Sequence, residues 1–583
     1  GKVYPLTDHL LAVAEGCGSP SGDYPERLRF LAGLLHDTGK SSRAWQNYIN
    51  KKSGKGVPHA FAGAMLFAAF FADLLEVWKP AGQERRELCY LAVNLTNIIY
   101  NHHGRIEDMD GDYPPWTGAF APAQVLFADL PGLLKLVVLY FPEVSLLIER
   151  YIQAPECLVE RISAVAGLWS KWTNQMISYV EKLLKRGNRY AIGARLCLQI
   201  ENARLITADR MDAGQIATDG KNYLAPEKAS AALSKIRQYC AERKNVMSGK
   251  ARQSILDVRG KWRRKALDAF GQNRQKNIFS LELPTGYGKT IAALSVSLRA
   301  VEEGRCKRII YVAPYLSILS QAAAEIERAT GLKVLTHHHL SALQSLVEQD
   351  KAEDLLMEGW QAPVVATTFN QLFLALFPSR AQNTIRLSGL KNSFIIVDEP
   401  QVINTGAWNA FLAMVEAATA ELGTKFLLVT ATLPETGGGI FSEVISLGRA
   451  LPVSSRYQVE YTGEENEETL SKKILHSYCS CGSTAAILNT VRDAVEVYLR
   501  VRDGASEGRA YFLSGRMTPL HKRQRINEIR GSLDDEENTM VVCTQVLEAG
   551  VDLSFKQLFR AIPVIPSIIQ AAGRCNRHMK TTE

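Results

Sequence analysis

From about residue 275 onward, short hydrophobic runs alternate with helix-length amphipathic segments, and this pattern restricts the possible folds more than any other feature. The runs are IFSLEL, RIIYVAP, PVVATT, FIIVDE, FLLVTAT, AAILN, AYFLS and TMVVCT. Strands that are apolar throughout are buried on both faces, and when they alternate with helices they form parallel sheets. This half of the chain is therefore predicted to contain parallel α/β sheets covered by helices.

The first 220 residues have a different pattern. Segments such as RLRFLAGLLHDTGK and RELCYLAVNLTNIIYNHHG have helical apolar periodicity, and short β-branched runs are scarce. A polar, charged stretch and an acidic, strand-poor stretch supply two domain boundaries. We predict an all-α domain at 1–220, a linker at 221–265, and two α/β domains at 266–455 and 456–583.

The composition excludes several classes of protein. With 46% hydrophobic and 22% charged residues, the chain is neither disordered nor a fibre nor a coiled-coil rod. A net charge of +8 is compatible with a nucleic-acid partner without identifying one. Ten cysteines without regular spacing indicate a reducing, cytoplasmic compartment. The apolar stretch 63–78 is short for a membrane span and contains Asp73, so we expect a buried helix and no membrane association.

The N-terminal residues GKVYPL lack the pattern of a signal peptide. They also lack an initiator methionine, so we expect that a few residues precede them.

The segment SLELPTGYGKT at 280–290 predicts a phosphate-binding loop between a strand and a helix. Glycines let backbone N–H groups surround a phosphate, the lysine reaches the β- and γ-phosphate oxygens, and the threonine hydroxyl can ligate Mg²⁺. The residues with these roles are Gly286, Gly288, Lys289 and Thr290. Leu283 stands where the full pattern has a glycine.

Three further elements follow the loop. In FIIVDEPQ, Asp398 is predicted to hold Mg²⁺ through water and Glu399 to polarise the attacking water, although two acids at a strand end are also common without catalysis. FLLVTATLP at 426–434 is a second strand with a polar end. SIIQAAGRCNR at 567–577 supplies Gln570, Arg574 and Arg577; the two arginines would share a helix face and meet a γ-phosphate across a cleft.

In this order and spacing, the four elements resemble the motifs of superfamily 2 helicases. The resemblance covers about 265–583 and implies two RecA-like domains with ATP and Mg²⁺ in the cleft between them. It also implies that Asp552, in VVCTQVLEAGVDLSF, lies near the ribose, and that YVAPYLSILSQ and TTFNQLF contact nucleic acid. A buried strand with a polar end explains each of these segments equally well. The box reads DEPQ, with Gln401 in place of the usual His or Asp.

Five histidines cluster in the first 103 residues, namely His9, His36, His59, His102 and His103. A single histidine on an apolar face is most often a satisfied core residue. An adjacent His36–Asp37 pair and a tandem His–His, each ending an apolar helical run, are harder to explain in that way. Another apolar helical run ends at Asp209.

This pattern resembles the HD phosphohydrolase superfamily. The resemblance implies two divalent transition-metal ions (Fe, Mn, Co or Ni), because imidazole-rich sites suit them better than Mg²⁺. Asp37 would bridge both ions, and Lys40 would meet the phosphate. The other ligands would be His9, His36 and Asp209 at one ion, and His59, His102 and His103 at the other. Asp212, near the same helix end, is an alternative to Asp209.

An HD domain directly before a superfamily 2 core resembles the CRISPR-associated helicase–nucleases of type I interference systems. That family implies a metal-dependent nuclease for the displaced single-stranded DNA of an R-loop, an ATP-dependent 3′–5′ helicase, and recruitment by a crRNA-guided surveillance complex. It implies catalytic roles for Asp37, Lys40, Glu399, Arg574 and Arg577. An accessory C-terminal domain usually follows the last motif, and we expect it to be missing here, because the chain ends at 583.

Two other functions stay open on the residues alone. One is an HD nucleotide phosphohydrolase with a regulatory ATPase, and the other is a translocase whose helical domain serves only as a docking module.

Two smaller features of the sequence are also ambiguous. The triplet 337–339 is interpreted as a loop near the DNA path rather than a metal cluster. The basic run around Trp262 is either a phosphate contact or a solvated helix face; it comprises Arg259, Lys261, Arg263, Arg264 and Lys265.

Overall fold

The helical half is the first of three structural regions. The computed structural model describes residues 4–50, 59–106, 130–216, 222–246, 250–338, 351–437, 442–450, 457–505, 509–547, 553–563 and 565–576. Its first helices are α1 (Leu6–Cys17), α2 (Tyr24–Leu35), α3 (Arg43–Ile49), α4 (Ala60–Trp78), α5 (Gly82–Asn101), α6 (Leu130–Tyr140), α7 (Ser145–Gln153), α8 (Pro155–Arg186) and α9 (Asn188–Ala213). Up to residue 216 the described part of the chain contains no strand, as predicted.

Helix α4 is the centre of this region. Of the helices in the described residues, α4 alone has the length and apolar composition of a membrane span, but 72% of its most apolar window is buried in the protein. Asp73 on α4 is buried, and it accepts hydrogen bonds from the Tyr151 hydroxyl at 2.9 Å and from Arg161 Nε at 2.6 Å. A buried carboxylate with two donors is typical of a protein interior.

The second region is a parallel sheet of seven strands in the order β3-β4-β2-β5-β6-β1-β7. The strands are β1 (Ile278–Glu282), β2 (Arg308–Ala313), β3 (Leu335–His337), β4 (Val364–Thr368), β5 (Ser393–Asp398), β6 (Lys425–Thr430) and β7 (Ile445–Arg449). Its helices are α10 (Pro226–Val246), α11 (Lys250–Gln272), α12 (Lys289–Glu302), α13 (Leu316–Thr330), α14 (Lys351–Glu358), α15 (Phe369–Leu376), α16 (Ile385–Leu390) and α17 (Thr405–Glu421). A separate apolar core lies on each face of the sheet.

The third region is a parallel sheet of four strands in the order β11-β8-β10-β9. The strands are β8 (Ser483–Ile487), β9 (Ala510–Leu513), β10 (Thr539–Cys543) and β11 (Gln557–Arg560). The helices are α18 (Glu467–Cys481), α19 (Val491–Val501), α20 (Pro519–Asp534) and α21 (Ile565–Ala572). Apolar residues again cover both faces, so the prediction of parallel sheets between helix layers is confirmed in both regions.

The stretch 221–265 is not an extended linker. It contains α10 and most of α11, and both helices pack against α12 on one face of the first sheet. The buried residues Ala229, Ala232, Leu233 and Ile236 recur at helical spacing on α10. This narrow apolar stripe anchors a helix in which many of the other positions are polar or charged.

Helix α9 joins the helical half to the first sheet. Leu196 and Ala203 on α9 lie in the apolar core beneath that sheet. A second connection follows the tandem histidines, where Ile106 N donates to Ser379 O at 3.1 Å and Ala381 N donates to Gly104 O at 3.2 Å. The two regions therefore share both a core and backbone hydrogen bonds.

Candidate metal and nucleotide sites

Six ionisable residues surround Asp37 in the helical half. Each comes from a helix or from a residue that flanks one: His9 from α1, His36 after α2, His59 before α4, His102 and His103 after α5, and Asp209 from α9. Asp37 is completely buried, and all of the others except His103 are buried too. The structure thus brings together every residue that the sequence analysis assigned to a metal site.

The two oxygens of Asp37 face different histidines. Oδ2 lies 3.4 Å from Nε2 of both His9 and His36. Oδ1 lies 3.1 Å from His59 Nε2 and 3.4 Å from His102 Nε2. Asp37 is therefore shared by two groups of possible ligands, as a bridging carboxylate between two ions would be.

Asp209 and His103 complete the two groups. Asp209 Oδ1 lies 3.5 Å from His9 Nε2 and 3.7 Å from His36 Nε2. His103 Nε2 lies 3.0 Å from His59 Nε2. In each group the possible ligand atoms lie within 4.8 Å of one another.

The second ring nitrogen of three histidines is held by another partner. His36 Nδ1 is 2.8 Å from Gly33 O, and His102 Nδ1 is 2.6 Å from Ile99 O. His9 Nδ1 is 2.6 Å from Asp212 Oδ2. These contacts direct Nε2 of each ring towards Asp37, as outer partners of metal-ligating histidines do. Asp212 is thus a partner of His9, whereas Asp209 faces the centre of the cluster.

The unsatisfied atoms of the cluster fit metal ligation. His9 Nε2, His36 Nε2, His102 Nε2 and Asp37 Oδ1 are buried without a hydrogen-bond partner among the described residues. Buried polar atoms of this kind are costly unless something binds them. Imidazole nitrogens with two carboxylates form a donor set that suits Zn, Fe, Ni, Co or Mn.

Burial and the neighbouring charges shift the pKa values of several residues in the cluster. Burial alone would lower the pKa of His36, but Asp37 and Asp209 raise it to about 10. Burial would raise the pKa of the Asp37 carboxyl, but His36, His102 and His59 hold it well below its ordinary value. Burial and the nearby His102 lower the pKa of His103 to about 4. Near neutral pH, Asp37 is therefore ionised and His103 is neutral, the forms that ligate metals, whereas His36 carries a proton that a bound ion would displace.

Two glycines allow the backbone to approach the cluster closely. A Cβ at Gly39 would lie 2.1 Å from the carbonyl oxygen of His59, and a Cβ at Gly63 would lie 2.2 Å from the carbonyl oxygen of Leu35. Any side chain at either position would separate the segments that carry Asp37 and His59. Lys40, which was expected to meet a phosphate, donates its Nζ hydrogen bond to Asp37 Oδ2.

The phosphate loop lies between β1 and α12. Gly286 has φ of 92° and Gly288 has φ of 79°, backbone conformations that favour glycine. Lys289 Nζ donates to Glu399 Oε1. The cleft around the loop is also lined by Thr290, Asp398, Glu399, Gln570 and Arg574. The predicted nucleotide residues that lie within the described ranges thus share one cleft.

Gln401 connects the DEPQ segment to the end of β6. Its Nε2 donates to Glu399 Oε2 at 2.7 Å, and its Oε1 accepts from the Thr430 hydroxyl at 2.7 Å. Glu399 itself has φ of 55°, which is uncommon for a residue other than glycine. The glutamine therefore holds Glu399 in place from the side opposite to Lys289.

Asp398 at the end of β5 is buried beside Tyr311, whose hydroxyl donates to Oδ2 at 2.6 Å. Burial, followed by the charge of Glu399, raises the pKa of Asp398 to about 6. A cation next to this carboxylate would lower that pKa again.

The third region reaches the phosphate loop through the turn after α21. A Cβ at Gly573 would lie 3.0 Å from Thr285 Cβ, so this turn touches the loop. The expectation that Arg574 lies on a helix is wrong, because α21 ends at Ala572. Arg574 is instead held by its carbonyl, which accepts from Phe555 N at 3.0 Å. Asp552 and Arg577 lie outside the described residues.

Arg259 was not recognised as a residue of the nucleotide site. It is on α11, and its Nε donates to the Gly286 carbonyl at 2.7 Å, which places it directly against the phosphate loop. Its position in a basic run was the one available signal. Lys261, Arg264 and Lys265 of that run are exposed.

His337, the first residue of the histidine triplet, does not resemble a metal ligand. It is buried, and its Nδ1 accepts from Trp360 Nε1 at 3.0 Å. Burial lowers its pKa to about 3. It joins none of the possible metal-binding groups within the described ranges, and His339 lies outside them.

Fold and site together are similar to those of a DEAD/DEAH-type helicase core, here preceded by a helical region with a candidate metal cluster. The profile of the DEAD/DEAH box helicase family matches residues 263–437, and that of the C-terminal part of the CRISPR-associated nuclease/helicase Cas3 matches 480–580. The chain is a relative of the CRISPR-associated Cas3 nuclease/helicases. The RecA-like fold expected of the two parallel-sheet regions follows from these matches.

Individual relatives agree with this assignment. The CRISPR-associated nuclease/helicase Cas3 of Haloferax volcanii is 25% identical, over 56% of this chain and 48% of its own length. The CRISPR-associated endonuclease/helicase Cas3 of Thermus thermophilus is 24% identical, over 51% and 42%. The chain spans less than half the length of these curated relatives. The crystal structure of T. fusca Cas3 has the same fold, with a TM-score of 0.59 at 19% identity, over 100% of this chain and 72% of that one.

Proposed function

We propose that the chain is a CRISPR interference effector in which a metal-dependent nuclease for single-stranded DNA is coupled to an ATP-dependent 3′–5′ DNA helicase. It would nick and then degrade the displaced strand of an R-loop, to which a crRNA-guided type I surveillance complex recruits it. We place this activity in the cytoplasm of a prokaryote. The relatives are named as nuclease/helicase and endonuclease/helicase, and these names support the proposal.

The observation that carries the nuclease half is the sharing of Asp37 between two groups of histidines. His9, His36 and Asp209 would hold one ion, His59, His102 and His103 the other, and Asp37 both. Two divalent ions, when bound, supply Lewis-acid activation of a phosphodiester and of the attacking water. Lys40, which donates a hydrogen bond to Asp37, would hold a phosphate oxygen of the DNA backbone.

The ATPase half rests on the cleft around the phosphate loop. Gly286, Gly288 and Lys289 would bind the phosphates, while Thr290 and Asp398 would hold Mg²⁺. Glu399, fixed between Lys289 and Gln401, would orient the attacking water. From the third region, Arg574 and Arg577 would meet the γ-phosphate, Asp552 would lie near the ribose, and Gln570 would contribute to ATP binding from the wall of the cleft.

The proposal is tested by cleavage of circular single-stranded DNA without ATP, across Mg²⁺, Mn²⁺, Co²⁺ and Ni²⁺. We expect cutting with transition metals and two bound ions per chain by elemental analysis. Asp37→Ala should abolish cutting and lower the metal content, because the shared ligand is lost. Glu181→Ala, which removes an exposed acid from the same region, serves as the matched control.

Two other outcomes would replace the proposal. If no metal supports cutting while DNA still stimulates ATP hydrolysis, the chain is a translocase with a docking domain. If the chain releases phosphate from mononucleotides and its ATPase is indifferent to DNA, it is a nucleotide phosphohydrolase.

A further inference from the structure

The short helix α3 lies beside the metal cluster and buries none of its seven residues. Tyr48 and Ile49 are 39% and 55% exposed. Most helices in proteins are stabilised by an apolar face buried against the core, and this helix lacks one. Two polar contacts hold it instead: Ser42 caps its first turn, and Gln46 Nε2 donates to the carbonyl of Lys40 at 2.8 Å.

Trp45 connects this helix to the metal cluster. The centroid of its ring is 4.3 Å from that of His59, at an interplanar angle of 56°. The Tyr48 ring is 5.5 Å from the Trp45 ring, at an interplanar angle of 52°. Half-buried Trp45 therefore contacts both a candidate metal ligand and exposed Tyr48.

Aromatic rings at a protein surface offer faces on which planar groups such as nucleic-acid bases can stack. Here they flank a cluster that suits phosphodiester cleavage, and two cations accompany them: Arg43 is exposed on the same helix, and half-buried Lys40 lies between helix and cluster. Aromatic rings next to cations are the combination by which proteins bind single-stranded nucleic acid without regard to sequence.

We infer that Trp45 and Tyr48 form a base-stacking platform that positions single-stranded DNA at the metal cluster. This inference rests on the proposed function, and it adds a physical reason for the strand preference of the nuclease. The bases of a single strand expose their faces to a protein ring, whereas those of a duplex are already stacked on each other. The platform would thus favour the displaced strand over paired DNA.

The test compares two oligonucleotides with the same backbone, one with all its bases and one with tetrahydrofuran abasic units around the cleavage site. Cleavage is measured with the divalent ion that gives the fastest rate. Trp45→Ala should raise KM for the base-bearing strand by roughly tenfold, the loss expected for one stacking contact, with kcat little changed. It should have no effect on the abasic strand, because that strand has nothing to stack.

Two variants refine the comparison. Trp45→Phe keeps a ring and should restore most of the affinity, while Tyr179→Ala removes an exposed aromatic residue of α8, outside both α3 and the metal cluster, and should change nothing. If Trp45→Ala weakens cleavage of both strands by the same factor, or lowers the metal content, Trp45 only supports His59 and the inference is overturned.

A second measurement separates this inference from the proposed function. The wild-type chain in EDTA is irradiated with an oligonucleotide that contains 5-iododeoxyuridine, a base that cross-links to stacked aromatic residues. The platform predicts labelling of the tryptic peptide that spans residues 44–51. If the wild type cuts no strand with any metal but this peptide is labelled, the platform stands and the nuclease fails. If the chain cuts but the peptide is unlabelled, the platform fails and the nuclease stands.

Discussion

Among single residues, Asp209 and Asp212 illustrate what a sequence can and cannot decide. They lie three residues apart near the end of one helix, so both point to a similar side and either is a reasonable ligand. The structure separates them by partner: Asp209 faces His9 and His36 at Nε2, whereas Asp212 holds Nδ1 of His9. Helix spacing predicts proximity, but it does not predict which atom of a histidine a carboxylate meets.

This difference predicts unequal effects of substitution. Asp212→Ala should weaken metal binding by roughly 10- to 100-fold, the usual effect of losing an outer partner, and Asp209→Ala should weaken it more. Titration calorimetry with Mn²⁺ measures both. Asp212→Asn retains an acceptor for His9 and should lose less than Asp212→Ala. Equal losses for Asp209→Ala and Asp212→Ala would mean that the two carboxylates have the same role.

At the scale of helices and strands, the buried elements were the predictable ones. Each of the eight apolar runs became a strand, because strands covered on both faces must be apolar throughout. The three strands that were missed, β3, β7 and β11, all lie at sheet edges, and polar or charged residues interrupt the apolar pattern of each. The remaining edge strand, β9, was predicted because its residues form a continuous apolar run. The sequence analysis also did not predict the helices of 221–265. The buried apolar residues of α10 form only a narrow stripe, and the polar and charged residues between them make the segment look like a linker.

Close packing of α4 on the end of α2 predicts a strong effect of one methyl group. In Gly63→Ala the new Cβ would lie 2.2 Å from the Leu35 carbonyl oxygen, so the helices must separate just where His36 and His59 meet Asp37. We expect a destabilisation of about 1–3 kcal/mol, as for other overpacked sites, and weaker metal binding. Thermal unfolding and metal analysis measure these effects.

Gly167→Ala is the matched control, because a Cβ at Gly167 on α8 meets no atom within 4 Å. Unchanged metal content in Gly63→Ala would show that the cluster tolerates movement of α4.

For the whole molecule, the main point is that two candidate reaction centres occupy separate places. The metal cluster lies within the helical half, and the nucleotide cleft lies between the first sheet and the turn after α21. The order of these regions could be predicted from motifs and periodicity. The attachment of the helical half to the first sheet through α9 could not be predicted, because the apolar residues of a helix do not show which of two cores they pack into.

Separate centres predict separable activities. Lys289→Ala removes the cation of the phosphate loop and the partner of Glu399, so ATP hydrolysis and ATP-dependent unwinding should be lost. Nicking of circular single-stranded DNA without ATP should stay within about twofold of wild type, because the variant leaves the metal cluster intact. Loss of this nicking in Lys289→Ala would contradict the independence of the two centres.

Helix α9 also has a consequence for protein engineering. Its 26 residues run without a break from the core beneath the first sheet to Asp209 beside Asp37. A chimera that exchanges helical halves between relatives at a junction near residue 220 would separate this helix from the first sheet, against which Leu196 and Ala203 pack. Exchanges that keep α9 together with its sheet would in turn remove Asp209 from its histidines. A working chimera must therefore have residues on α9 that match both the histidine cluster and the apolar core of the first sheet.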